Sequence, residues 1–228
     1  MNHDREYKIA RTISSCCEAP LLAIVSFFII NLFFDWQNFL VIEGVSLLFA
    51  TILPIAFFLS WGKLKGIDKD YTDRTKRNIP LLVAVVIYFI GGVLLYYLNA
   101  NLITTILMFC YALNTFIVFA VNLKWKISIH AIGVSGPTVG LLFVHPLGFI
   151  LGLVAPFIMW SRLVLKKHTP EQLLAGSLVG YVFTLIPYYL ILNKINSPLT
   201  LSQPSKVLVI VLMVISVISY LILRKKRV

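Results

Sequence analysis

The sequence predicts an all-α fold, a polytopic membrane helix bundle of six to eight transmembrane helices, on three observations. The 228 residues are 59% hydrophobic, only 13% charged, and average +0.91 in mean hydropathy. Soluble domains are roughly half apolar and about a quarter charged, so the bilayer is the solvent here. The apolar residues fall into runs matching the roughly 20 residues that a helix needs to cross the hydrocarbon core. The charges lie almost entirely between alternate runs. Runs of this length leave no room for a soluble domain, and residues 1–228 are expected to form a single integral membrane domain.

Eight runs are visible, at about 19–34, 38–61, 79–98, 102–121, 129–144, 147–161, 171–192 and 206–223. The first follows Arg5, Lys8 and Arg11, as in a secretory leader. No small-residue cleavage site comes after it, so it is expected to be retained as a span. The second holds Glu43 about seven residues from its outer end, a depth at which an acid is a functional candidate by default. Snorkelling, or pairing with Lys194 or Lys206, is the alternative. The fifth and sixth runs are short and meet at His145-Pro146. Gly133, Gly136, Gly140, Gly148 and Gly152 suggest a tight central pair, tilted or partly re-entrant. Asn31 and Asn114 read as interhelical hydrogen-bonding groups, and Trp36, Trp61, Trp125 and Trp160 as interfacial anchors. Cys16, Cys17 and Cys110 are too few and too dispersed for a disulfide framework or a zinc site.

With eight crossings, both termini share one side, which carries 18 of the 20 Lys and Arg residues. Lys194 and Lys206 are the two on the other. The formal charge of +11 is therefore read as topology and not as a nucleic-acid surface. The positive-inside rule makes the basic side, with both termini, cytoplasmic.

Three loops on that side hold residues that lipid-facing helices do not need. The first runs from Gly62 to Pro80, with Lys69, Asp70, Asp73, Arg74, Lys76 and Arg77. The second, KWKISIHAIG, puts Ser128 and His130 at the mouth of the fifth run. The third, from Ser161 to Gln172, reads SRLVLKKHTPEQ. Guanidinium groups bind phosphoryl oxygens bidentately, and a helix start near Ser128 and His130 adds N–H donors. One histidine can attack phosphorus while the other protonates the leaving alkoxide.

This arrangement resembles the type 2 phosphatidic acid phosphatase superfamily, whose motifs run K-x6-R-P, P-S-G-H and S-R-x5-H-x3-D. Ser161-Arg162, five residues and His168 match the third motif. Ile127-Ser128-Ile129-His130 keeps the Ser and His of the second. Lys69, Lys76, Arg77 and Pro80 stand for the first, and the family-like core covers about 62–192. The resemblance implies that His168 is the nucleophile and His130 the general acid, with Arg162, Arg77 and Ser128 as phosphate ligands and Arg74 and Lys69 as further candidates. It implies no metal and no cofactor. Gln172 stands where the family has the Asp that orients the nucleophile. Thr169-Pro170-Glu171-Gln172 equally reads as a helix start with a capping box, which would occupy Gln172 with backbone.

The bland alternatives are a solvated loop for His168, a buried structural role for His130, and topology alone for Lys63 and Lys65. The expected activity is hydrolysis of a lipid phosphate or prenyl diphosphate through a phosphohistidine. Phosphatidate, phosphatidylglycerol phosphate and prenyl diphosphates are all suitable. A lipid phosphotransferase with the same site, or a non-catalytic transporter or assembly subunit whose basic side binds anionic headgroups, are the alternatives.

Overall fold

The computed structural model describes residues 2–68, 71, 73–195, 197 and 200–225, the side chains of residues 2 and 3 excepted. Among them, all eight apolar runs are helical and there is no strand. Helices α1 (Asn2–Cys16) and α2 (Ala19–Phe34) are followed by α3 (Phe39–Leu47) and α4 (Leu53–Leu64), then α5 (Asn78–Tyr97) and α6 (Leu102–Asn122). Next come α7 (Ile129–Val144), the short α8 (Phe149–Gly152), α9 (Ala155–Val164), α10 (Pro170–Lys194) and α11 (Gln203–Lys225). Among the described residues, six helical stretches are long and apolar enough to span a membrane, and a seventh is the pair α1 and α2, bent by 46°.

The second run is one span, Trp36–Leu64, in which α3 and α4 are joined by a π turn at Leu48–Ile52. Pro54 lies in the first turn of α4 and has no N–H to return to the preceding turn, and the widened turn takes up the difference. The segment carrying Arg5, Lys8 and Arg11, which precedes the first apolar run, is itself helical. Ala10 and Ser14 are four residues apart and buried, and α1 packs against α9. Its polar composition gives no apolar run, which is why the hydropathy pattern misses it.

At 16 residues, α7 reaches about 24 Å at a rise of about 1.5 Å per residue, short of a hydrocarbon core of about 30 Å. It is wrapped by the bundle: every residue from Ala131 to Phe143 is buried. It packs along α10 and α2 and also against the sixth run, through the connecting turn, α8 and α9. The expected close pairing of the fifth and sixth runs is present: a Cβ at Gly148 would stand 2.7 Å from Leu141 and one at Gly152 3.0 Å from Thr138 Cγ2, both on α7. Gly133 does the same on the α2 side, because a Cβ there would overlap Ala19.

Glu43 lies at the end of the bundle away from the basic loops. It accepts a hydrogen bond from Asn31 Nδ2 at 2.7 Å, and Asn31 Oδ1 accepts from Thr104 Oγ1 at 2.7 Å. This chain of buried groups ties α2, α3 and α6 together, so Glu43 is an interhelical clamp and not a partner of Lys194 or Lys206. Asn114 fills the role expected of it, donating to Thr184 Oγ1 of α10 at 2.8 Å.

Candidate functional site

The loops carrying the three motifs meet at one end of the bundle, where α5, α7 and α10 begin and α4, α6 and α9 end. Arg162 lies in the last turn of α9, and its Nη1 donates to Ser14 Oγ at 2.8 Å. The chain then reverses through Lys166, whose φ of +54° is the left-handed conformation that closes helices. Lys167 N–H returns to the Arg162 carbonyl at 3.0 Å, and Thr169 caps α10. His168 is therefore fixed between the end of one helix and the cap of the next. It is buried, at 4% exposure, and not a solvated loop residue.

The two roles foreseen for Gln172 coexist. Thr169 N–H donates to Gln172 Oε1 at 3.1 Å, and Gln172 N–H to Thr169 Oγ1 at 3.4 Å, which completes the capping box. The same Oε1 lies 3.1 Å from His168 Nδ1. A backbone N–H can only donate, so the atom facing it is the amide oxygen, and that oxygen can only accept. His168 Nδ1 therefore carries the proton, and Nε2 keeps its lone pair.

Burial, with the nearby charges of Arg162, Arg77 and Lys126, pushes the His168 imidazole down to about 2, against a small opposing effect of the Gln172 hydrogen bond. The ring is neutral at any physiological pH. Arg77 is itself buried, in the turn Arg74–Arg77 that leads into α5, and its Nε donates to the Tyr71 carbonyl at 2.8 Å. Tyr71 is anchored in turn by its hydroxyl, which donates to the carbonyl of Phe58 in α4.

Ser128 caps α7, accepting from Ala131 N–H at 3.3 Å, while its own N–H donates to the Gln172 carbonyl at 3.2 Å. That clamp between the starts of α7 and α10 needs Gly176, where a Cβ would stand 2.6 Å from the Ser128 carbonyl oxygen. His130 is half-buried in the first turn of α7. Helix starts favour anions, and three of them lie at this end.

Arg74, one of the expected phosphate ligands, is engaged elsewhere. Arg74 Nη1 donates to the carbonyls of Asn122 and Leu123 at 2.8 and 2.6 Å. It satisfies the open C-terminus of α6 and is not among the charges acting on His168. Lys69 lies outside the described residues, as does Asp70.

Two participants escaped the sequence. One is Ser14, on the unforeseen helix α1. The other is Lys126, whose Nζ donates to the Lys167 carbonyl at 2.9 Å. In the sequence Lys126 reads as one more topology charge, and its place two residues before the cap Ser128 was the available signal. No three or more His, Cys, Asp or Glu among the described residues could together hold a metal ion.

Burial, followed by the charges of Arg77, Arg162 and Lys167, lowers Lys126 to about 8, with Asp68 opposing. A lysine so lowered is charged below that pH and loses its charge as the pH rises through it. Phosphate affinity, measured by competitive inhibition with inorganic phosphate, is therefore expected to weaken above about pH 8. Lys126→Arg should keep that affinity level to about pH 9.5, because a guanidinium does not titrate there. An identical alkaline decline in both forms would remove Lys126 from the anion cradle.

The end of the bundle thus combines buried cations with a neutral imidazole of fixed tautomer, an arrangement suited to holding an anion against a nucleophile. No family model, curated protein or solved structure matches the chain.

Proposed function

We propose that the protein is a membrane lipid phosphate or diphosphate phosphohydrolase that works through a phosphohistidine. The observation that carries this reading is His168: buried, neutral, held in one tautomer by Gln172, and surrounded by Arg77, Arg162 and Lys126. Nε2 attacks phosphorus, the bond from phosphorus to the lipid oxygen breaks, and His130 protonates the leaving oxygen. Water then cleaves the phosphohistidine, releasing orthophosphate and restoring the imidazole. Arg77, Arg162 and Lys126 neutralise the phosphoryl oxygens in a desolvated setting, where such charges act most strongly. Ser128 joins the clamped helix starts to them.

Phosphate release from phosphatidate, phosphatidylglycerol phosphate and prenyl diphosphates, with His168→Ala as control, tests the proposal. Release by the natural protein and none by the variant supports it. Transfer to a second lipid without release favours a phosphotransferase using the same histidine. Neither release nor transfer sinks the catalytic reading and leaves a basic headgroup-binding surface of a transporter or assembly subunit.

The site and both termini are assigned to the cytoplasm on the side-by-side distribution of Lys and Arg. A cysteine introduced at position 166, where the chain is exposed, is expected to resist an impermeant thiol reagent added outside intact cells. It should react once the membrane is opened. Labelling from outside would reverse the orientation.

A further inference from the structure

Helix α1 lies outside the three loops that carry the motifs, yet one of its side chains reaches the site. Ser14, in the last turn of α1, is 5% exposed, and its Oγ lies 2.8 Å from Nη1 of Arg162, itself 3% exposed. The helix that carries it is held from two directions. Ala10, one turn earlier, is buried, and α1 packs against α9, whose last turn holds Arg162. Past the 46° bend, α2 begins at Ala19, so close to α7 that a Cβ on Gly133 would overlap it.

A guanidinium can only donate, so Ser14 Oγ is the acceptor and its own hydrogen is left for another group. The buried helical serines Ser26, Ser46, Ser135, Ser161 and Ser216 turn that hydrogen onto a carbonyl of the preceding turn. Ser14 does not: among the described residues its only hydrogen bond is the one from Arg162. Buried hydroxyls rarely go without an acceptor, so this one is expected to receive its acceptor from a bound molecule. Ser161, next to Arg162 in the motif, is no substitute, because its hydroxyl is engaged with the Ile158 carbonyl at 2.9 Å.

We infer that Ser14 is a ligand of the anion: its hydroxyl donates to an oxygen of the phosphoryl group that Arg162 binds, while its oxygen keeps the guanidinium in place. The identity of the anion rests on the proposed function, whereas the unfilled donor does not. A charged donor and a neutral one then face the same anion from adjacent side chains, and hydrogen bonds to a charged acceptor are of the stronger kind. In this way α1 supplies the site with a group that none of the three motifs contains. The bond from Arg162 also fixes which way that group points, since the lone pair it occupies leaves the hydroxyl hydrogen to turn elsewhere.

Equilibrium binding of labelled inorganic phosphate to the purified protein in detergent micelles tests the inference, with thermal unfolding to confirm that each variant is folded. Ser14→Ala should weaken binding at least about tenfold, the loss expected for a hydrogen bond to a charged group. Ser14→Thr keeps the hydroxyl and should bind within about threefold of the natural protein. Ser15→Ala, on the exposed side of α1, should leave binding unchanged. Repeating Ser14→Ala in Arg162→Met protein separates donation from positioning, because a direct donor still costs at least about threefold there. An effect that disappears with Arg162 shows that Ser14 only places the guanidinium, and overturns the inference. Binding by folded Ser14→Ala within about twofold of the natural protein overturns it as well, as does a natural protein that binds no phosphate. If phosphate binds with the expected pattern and no lipid phosphate is hydrolysed, Ser14 stands as an anion ligand and the phosphohydrolase reading fails by itself.

Discussion

Replacement of His168 by alanine is expected to lower phosphate release by about four orders of magnitude or more, the scale seen when an enzyme loses its nucleophile. The variant should also fail to take up phosphate label that the natural protein, quenched in base during turnover, retains as an acid-labile adduct. Inorganic phosphate should still bind, because Arg77, Arg162 and Lys126 remain. That binding separates a lost nucleophile from a lost fold. The pH dependence adds an independent readout. An ordinary imidazole protonates near 6.5, and a nucleophilic one would then lose activity below that pH. In this protein burial and three neighbouring cations hold the imidazole down to about 2. From about pH 8 down to about pH 5, protonation of free His168 should therefore add no acid limb to kcat/KM. Activity of His168→Ala within about tenfold of the natural protein would end the phosphohistidine proposal.

The helices were legible because a chain in lipid must satisfy its backbone internally, which leaves the apolar run as a nearly complete signal. The same rule explains what was not legible. Helix α1 is polar along most of its length and is held by Ala10 and Ser14, two small residues that no hydropathy window registers. Arg74 and Arg77 lie in one basic loop and look alike in the sequence. Only the fold shows that one closes the carbonyls of α6 while the other turns inward onto Tyr71. The spacing of Ser161, Arg162 and His168 was readable because it is local: the end of α9, a reversal at Lys166 and the cap of α10 fit within it. Lys126 was not, because its neighbours Arg77 and Arg162 lie 49 and 36 positions away in the chain and only packing unites them.

Gln172 decides whether the imidazole is merely placed or also activated, and three substitutions at its capping box are expected to separate those roles. Gln172→Leu removes the acceptor from both Thr169 N–H and His168 Nδ1. The lost cap should cost about 1 kcal/mol of stability. The freed tautomer should cost about two to three orders of magnitude in kcat, less than the loss of a charged orienting residue because an amide supplies no charge. Thr169→Ala removes only the hydroxyl that accepts from Gln172 N–H at 3.4 Å and leaves the contact to His168 intact. Its stability loss should be similar, but kcat should stay within about threefold. If the two variants lower kcat equally, Gln172 serves the helix alone. Gln172→Glu keeps the acceptor and adds a negative charge, which favours the imidazolium and cancels part of the field of Arg77, Arg162 and Lys126. The His168 pKa should then rise, with an acid limb entering the kcat/KM profile. KM for phosphate esters should rise while kcat is maintained or improved. A merely structural glutamine would produce no such division between KM and kcat, because loss of folded protein lowers the apparent rate without changing the affinity of the molecules that remain.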